Sequence, residues 1–68
     1  MTPKVLVPLA HGFEEIEAVT VIDVLRRGGM RVMTAGLDKK LQKGSRRVLI
    51  EPDVSLDEIK DVEFDIII

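Results

Sequence analysis

The sequence predicts an α/β fold built on a parallel sheet that helices cover. Three observations favour this class: an apolar run near each end of the chain, an amphipathic segment of helical length after the first run, and a short strand-like segment after that helix. Uninterrupted apolar runs are typical of parallel strands that are buried on both faces. A strand, a helix and a second strand in this order form a βαβ unit with a right-handed crossover.

The βαβ unit occupies the first half of the chain. Its first strand is predicted at 5–10, and Pro8 lies near the end of that strand, where a missing amide donor is best tolerated. A helix is predicted over 13–27, with acidic residues in its first turn, arginines in its last turn and a glycine pair directly after it. The second strand is predicted at 31–36.

A hairpin is predicted between residues near Leu41 and Ile50, with a turn at 44–45. Basic residues crowd this hairpin, whereas acidic residues dominate the segment 51–65. Such runs are usually solvated faces, although opposite patches can also favour self-association or the capture of an anionic ligand. The basic residues are Lys39, Lys40, Lys43, Arg46 and Arg47.

The rest of the chain predicts a helical turn and a third strand. Pro52 interrupts the chain, and Ser55 followed three residues later by Glu58 has the pattern of a capping box. We therefore expect one or two helical turns at 56–61 and a buried strand at 64–68.

The apolar run at 64–68 also bears on domain organisation. Globular chains rarely finish inside a buried strand, because termini lie at surfaces and fray. We expect residues 1–68 to be the N-terminal part of one α/β domain that is incomplete in this chain. The remainder would be supplied by another polypeptide, and a simple truncation is the alternative.

Composition excludes several classes of function. The sequence has no cysteine, so neither a disulfide framework nor a cysteine nucleophile can come from it, and the single histidine, His11, is too few for a metal cluster. No metal or other cofactor is expected. A net charge of −2 and only two aromatic residues argue against nucleic-acid binding. No apolar run is long enough to span a membrane and no signal peptide is evident, so we predict a cytoplasmic protein.

A ligand site is expected beyond the carboxyl ends of the strands. In open parallel sheets, ligands bind where the strand order reverses. In the flavodoxin-like order, the strand at 5–9 lies beside the strand at 64–68 at that reversal. The loop at 10–13 would then form one wall of the crevice, and the residues that follow the strand at 64–68 would form the other wall.

Glu17 is the main candidate for chemistry in this crevice. On a helical wheel it flanks the apolar sector, with Phe13, Val21 and Val24 as helical neighbours. Apolar surroundings favour the protonated carboxyl, whereas the nearby helix N-terminus favours the ionised one. A partly protonated Glu17 could shuttle a proton. The alternative is an ordinary acid of the first turn that points to water.

Other residues near this loop carry weaker signals. His11 is a possible general base, but it lacks a visible orienting partner, and a surface role is the simpler interpretation. Glu14 and Glu15 are most simply complements of the helix dipole. Gly12 offers an amide near a helix N-terminus for an anion, yet neither of the common glycine-rich phosphate-loop motifs occurs in the sequence.

The segment from Val5 to Val19, which contains the motif Gly-Phe-Glu-Glu-Ile-Glu at 12–17, strongly resembles the opening of the ThiJ/PfpI superfamily. The likeness extends to the strand at 64–68, and it is greatest to the branch of the parkinsonism-associated deglycase. It implies a flavodoxin-like α/β sandwich that is commonly homodimeric. It also implies a reactive cysteine beyond this chain, a Glu17 carboxyl that hydrogen-bonds that cysteine, and an Arg46 near the site entrance at the dimer interface.

The resemblance implies an N-terminal fragment of a cysteine-dependent enzyme that acts on small reactive carbonyls. Members of this superfamily are described as glutathione-independent glyoxalases, deglycases, redox-responsive chaperones or peptidases. The completed domain would be the enzyme, and this chain alone could not perform the chemistry. A stress-linked chaperone or a cysteine-peptidase-like protein is the alternative. A phosphoacceptor receiver domain is discounted, because it requires clustered acids where this chain has Leu9, Ala10 and His11.

Overall fold

A computed structural model describes residues 2–38 and 40–68, and it confirms the predicted α/β class. Lys39, one of the basic residues of the predicted hairpin, lies outside the described residues. The elements in chain order are β1 (Lys4–Leu9), α1 (Glu15–Arg27), β2 (Arg31–Gly36), β3 (Gln42–Lys43), β4 (Leu49–Ile50), β5 (Val54–Ser55), a 3₁₀ helix (Leu56–Ile59) and β6 (Ile66–Ile67).

Four strands form a parallel sheet in the order β5-β2-β1-β6. β1 pairs with β2 along its whole length, from Lys4 opposite Arg31 to Leu9 opposite Gly36. On its other side β1 pairs with β6, where Val5 lies opposite Ile66. The predicted neighbourhood of the first and last strands is therefore confirmed. The predicted hairpin is confirmed too, as an antiparallel pair of β3 and β4.

Alternate residues of β1 build a core on each face of the sheet. Val5, Val7 and Leu9 pack towards α1, in a cluster that also includes Ala18, Ile22 and Leu25 of the helix and Ile50 of β4. Leu6 packs on the opposite face with Ala35 and Ile59. This two-sided burial explains the uninterrupted apolar run, because neither face of β1 meets water over residues 5–7.

Four element boundaries differ from the sequence prediction. The first strand is Lys4–Leu9 rather than 5–10, and the last strand is Ile66–Ile67 rather than 64–68. Both residues of β6 are exposed rather than buried, because β6 is an edge strand of the described sheet.

The helix begins at Glu15 rather than at residue 13, because Glu14 has an extended backbone and occupies the N-cap position. The predicted helical turns at 56–61 are a single 3₁₀ turn, Leu56–Ile59. The predicted capping box is confirmed. The Glu58 carboxylate accepts hydrogen bonds from the Ser55 amide at 3.0 Å and from the Ser55 hydroxyl at 3.1 Å.

β5 is a strand that the sequence analysis did not predict. Its two residues are too few to show a hydrophobic period, and they follow directly after a proline-containing break. A reciprocal pair of hydrogen bonds places the segment beside β2: the Asp53 amide donates to Thr34 Oγ1 at 2.8 Å, and the Thr34 amide donates to Asp53 Oδ2 at 2.9 Å. Arg26 of α1 also donates to Asp53 Oδ2, at 3.0 Å.

In the described part of the chain, no helix has the length and apolar character needed to cross a bilayer. The 13 residues of α1 are too few, because about 20 are required for a spanning helix.

Candidate functional site

A cavity of about 240 Å³ lies at the carboxyl ends of β1 and β6, beside the first turn of α1. We call this cavity the crevice. Its position agrees with the rule that ligands bind at the carboxyl edge of an open parallel sheet. Most of its lining is apolar, and its two ionisable residues are both glutamates. The lining residues are Val7, Pro8, Leu9, Phe13, Glu14, Glu17, Ala18, Val21 and Ile68.

Glu17 lies in the wall of the crevice, next to the apolar side chains of Phe13, Val21 and Ile68. Its side chain is exposed, and among the described residues its carboxylate has no hydrogen-bond or ion-pair partner. The structure therefore presents a carboxyl that is bordered by apolar groups and is open to a further partner.

The first glutamate of the motif, Glu14, caps the helix. Its two carboxylate oxygens accept hydrogen bonds from the backbone amides of Ile16 at 3.2 Å and Glu17 at 2.8 Å. These amides have no partner within the helix, so the cap stabilises the first turn and fixes the backbone that carries Glu17.

The second glutamate, Glu15, is buried and faces the hairpin. With 8% of its surface exposed, it is the only charged residue that is buried among residues 2–38 and 40–68. Its carboxylate accepts hydrogen bonds from the Ser45 hydroxyl at 3.2 Å, the Arg46 amide at 2.7 Å and the Val48 amide at 3.2 Å. Glu15 lies in the first turn of α1, as its interpretation as a dipole complement requires, and its side chain is in addition bound by the hairpin.

These donors control the ionisation of Glu15. Burial alone would raise the pKa of the Glu15 carboxyl, because it disfavours the charged form. Hydrogen bonds from its own amide, from the amides of Val48 and Arg46 and from the Ser45 hydroxyl outweigh that effect, so the pKa of Glu15 is lowered from its ordinary value of 4.5. Glu15 is therefore a carboxylate near neutral pH.

Gly44 makes room for this carboxylate. A Cβ atom at position 44 would lie 2.4 Å from Glu15 Oε2 and 2.5 Å from its Cδ atom, which is closer than real Cβ contacts. The glycine of the predicted turn thus leaves space for a side chain that comes from another element.

The hairpin is also bound to the β1–α1 loop. The Lys43 carbonyl accepts a hydrogen bond from the Gly12 amide at 2.7 Å, and the Lys43 amide donates to Nδ1 of His11 at 3.1 Å. The Ser45 amide donates to the Phe13 carbonyl at 2.8 Å. His11 therefore has an orienting partner, which places the proton of its neutral ring on Nε2, although the residue is exposed as predicted.

Two of the predicted site residues do not line the crevice. Gly12 has φ +93° and lies in the loop below it, where its amide is already bonded to Lys43 and has no free hydrogen for an anion. Arg46 is exposed on the hairpin, and its guanidinium has no partner among the described residues. The structure thus brings Glu17 to the crevice but not Arg46, whose backbone amide is bonded to Glu15 on the other face of α1.

The position of Glu15 carries a signal that sequence reasoning missed. Glu15 precedes Val19 by four residues and Ile22 by seven, so it lies on the same face of the helix as these apolar residues. Glu17, two residues later, is rotated by about 200° and faces away from it. The three glutamates of the motif thus have three different environments.

The parallel sheet, the crevice at its carboxyl edge and the acidic first turn of α1 define a flavodoxin-like α/β protein. Residues 3–68 match the DJ-1/PfpI family, and the chain belongs to this family.

Relatives and solved structures agree with that assignment. The chain is 46% identical over 68 residues to Protein DJ-1 homolog B of Arabidopsis thaliana, a match that covers 98% of this chain and 16% of that protein. It is 46% identical over 55 residues to the glutathione-independent glyoxalase DJR-1.2 of Caenorhabditis elegans, covering 81% of this chain and 30% of that one. The crystal structure of DJ-1beta from Drosophila melanogaster superposes with a TM-score of 0.95 at 44% identity, over 98% of this chain and 37% of that one.

The chain therefore spans well under half the length of the relatives that it matches. The shares are 17% and 16% for the two Arabidopsis homologues and 37% for Drosophila dj-1beta.

Proposed function

We propose that this chain supplies the proton-transferring glutamate, Glu17, to a cysteine-dependent site that converts small reactive carbonyl compounds without glutathione. The observation that carries the proposal is the position of Glu17 in the wall of the crevice, where its carboxylate has no partner among the described residues. The printed name of the C. elegans relative, a glutathione-independent glyoxalase, supports this class of reaction.

The geometry suits a carboxyl that works with a nucleophile. A thiolate that adds to the aldehyde carbon of an α-oxoaldehyde forms a hemithioacetal. A proton must then leave that carbon and a proton must be returned to the neighbouring carbon, which gives a thioester that water hydrolyses to the hydroxy acid with release of the thiol. A glutamate beside the reacting carbons can accept and return such a proton. Glu17 lies in the crevice wall on the first turn of α1, where it is available for this role.

The remaining parts of the site are assigned as follows. The nucleophile would be a cysteine outside residues 1–68, which contain none, and another polypeptide that completes the domain would supply it. Arg46, whose guanidinium has no partner among residues 2–38 and 40–68, binds the substrate near the entrance. Gly12 shapes the loop below the crevice through its positive φ, since its amide is bonded to Lys43.

Exposed apolar surfaces support two kinds of partner. The completing polypeptide would cover Ile67 and Ile68, which are 67% and 54% exposed at the β6 edge. A second copy of the completed domain would cover Ile16 and Val19 of α1 together with Leu49 of the hairpin, all of which are about half exposed or more. Native mass spectrometry of the purified protein tests both partners, and a single species with the mass of this chain would contradict them. We place this assembly in the cytoplasm.

The test is the substitution Glu17→Gln in the complex of this chain with its completing polypeptide. Gln keeps the size of the side chain but cannot carry a proton, so kcat for methylglyoxal conversion should fall by about 100-fold or more, which is the usual contribution of general acid–base catalysis. The rate of lactate formation measures the effect. Glu63→Gln makes the same change at an exposed residue outside the crevice, and it should leave kcat unchanged.

A Glu17→Gln complex that retains the kcat of the wild type would contradict the proposal. The alternative functions have a separate outcome: protection of client proteins or peptide cleavage that continues when lactate formation is absent would favour a chaperone or a peptidase. The exposed isoleucines of β6 are the observation that keeps the chaperone in consideration.

A further inference from the structure

Glu15 connects the two parts of the chain that the proposed function places beside the substrate. It lies in the first turn of α1, two residues before Glu17, and its carboxylate binds the turn of the hairpin that carries Arg46. The hydrogen bond from the Arg46 amide, at 2.7 Å, is the shortest of the three that this carboxylate accepts from the hairpin.

The contact is specific to a carboxylate. One oxygen, Oε2, accepts from the amides of Arg46 and Val48, and the other, Oε1, accepts from the Ser45 hydroxyl. An amide side chain presents only one oxygen, and its NH₂ group would face donors rather than acceptors. The space beside Gly44 is also filled by the carboxylate, so the turn has little freedom to shift around it.

Hydrogen bonds within the hairpin also hold its turn: the Arg47 amide donates to the Gly44 carbonyl at 3.0 Å, and the Gly44 amide donates to the Val48 carbonyl at 2.8 Å. Arg47 has φ +70°, a left-handed conformation that a non-glycine residue adopts only when its surroundings hold it there. The neighbouring amides of Arg46 and Val48 are the two that Glu15 binds. The Glu15 carboxylate therefore ties the backbone on both sides of Arg47 to the first turn of α1.

We propose that Glu15 is a positioning residue for the crevice: its carboxylate fixes the backbone of Arg46 relative to the helical turn that carries Glu17. The proposal rests on the proposed function, in which Arg46 binds the substrate and Glu17 moves the proton. Glu15 itself touches neither the crevice nor the substrate, because it faces the hairpin.

The experiment is a double-mutant cycle in the completed complex, with Glu15→Gln, Arg46→Ala and the double variant. If Glu15 acts through Arg46, Glu15→Gln should raise KM by about tenfold, the size expected when hydrogen bonds to a charged group are lost, with little change in kcat. Arg46→Ala should raise KM similarly, and the double variant should be no worse than either single variant. Glu63→Gln is the matched control.

A second measurement follows the backbone directly. The amide signals of Arg46 and Val48 in ¹H–¹⁵N spectra should lose their hydrogen-bonded shifts and exchange protection in Glu15→Gln, and Glu15→Asp should restore part of both. If Glu15→Gln does not fold, Ser45→Ala removes only the hydroxyl bond to Oε1 and should give a smaller rise in KM.

Two results would overturn the proposal: effects on KM that multiply in the double variant, or unchanged amide signals of Arg46 and Val48 in Glu15→Gln. Both can occur while Glu17→Gln still abolishes turnover, so they are distinct from failure of the proposed function. That function fails when Glu17→Gln leaves kcat unchanged.

Discussion

The two sides of α1 meet very different surroundings. On one side the buried Glu15 carboxylate accepts three hydrogen bonds from the hairpin, and the contact is closed to solvent. On the other side Glu17 borders an open, mostly apolar crevice. Two residues of the same type, separated by one position, thus become a structural anchor and a candidate proton carrier. Which role each takes is decided by the element that packs against its face of the helix.

The comparison also separates two ways to hold a carboxyl near a helix N-terminus. The hairpin side supplies donors, which keep Glu15 ionised and fixed. The crevice side supplies apolar neighbours and no donor among the described residues, which leaves Glu17 free to interact with something else. Three predictions test this contrast, in order of decreasing effect.

The largest loss of stability is expected from a substitution that disturbs both the hairpin side and the crevice side of α1. Leu9 is 2% exposed, lines the crevice and belongs to the core cluster that Ala18 and Ile50 join. Leu9→Ala should lower the free energy of unfolding by about 2–5 kcal/mol, because it leaves a cavity under both sides of the helix. Denaturant unfolding of the completed complex measures this loss. Leu37→Ala, the same change at a residue that is 68% exposed, should change stability by less than about 0.5 kcal/mol.

A smaller effect should be confined to the hairpin side. Gly44→Ala places a methyl group on the Glu15 carboxylate, and such overpacking costs about 1–3 kcal/mol. Gly28→Ala is the control, because a Cβ there would meet only backbone oxygens at 3.5 Å. Thermal unfolding compares the two variants. Equal stability of Gly44→Ala and Gly28→Ala would contradict the close contact.

The smallest effect is a pH dependence that belongs to Glu15. The folded chain holds the pKa of Glu15 below its ordinary value of 4.5, so the unfolded chain binds this proton at higher pH. Its contribution to stability is therefore complete above pH 4.5 and is lost as the pH falls through the lowered pKa. The wild type should lose more unfolding free energy over that range than Glu15→Gln, as measured by denaturant unfolding at a series of pH values.

The difference between wild type and variant isolates Glu15 from its charged surroundings. These groups stay the same in both proteins, so their own titration cancels to first order. Identical pH profiles would show that Glu15 does not have a lowered pKa. The charged and titratable groups nearby are Glu14 at the N-cap of α1, Glu17 on α1, His11 in the loop, and Lys43, Arg46 and Arg47 on the hairpin.

Much of the fold follows from local signals in the sequence. The second strand at 31–36 has the predicted bounds, and α1 ends at Arg27 as predicted, because glycine and arginine signals mark that end. The helix start was two residues early, since the acidic pair at 14–15 gives no clue as to which member is the cap. The two-residue β5 had no local pattern at all, and its position depends on contacts with Thr34.

The candidate site, like the fold, could be predicted from the sequence only in part. The position of Glu17 beside the crevice could be derived from helical periodicity together with the order of the strands. The role of Glu15 could not, because its partners lie 30 or more residues further along the chain. The sequence of the turn does not indicate that Gly44 leaves space for the Glu15 carboxylate. Contacts of this kind become visible only when the hairpin is placed on the helix.

Pro8 has a consequence for the ladder between β1 and β6. In this parallel ladder the Ile68 amide donates to the Leu6 carbonyl at 3.0 Å, and the next rung would require an amide hydrogen on residue 8. Proline has none, although β1 stays paired with β2 as far as Leu9. One missing hydrogen atom thus leaves the Ile68 carbonyl without a backbone donor from β1.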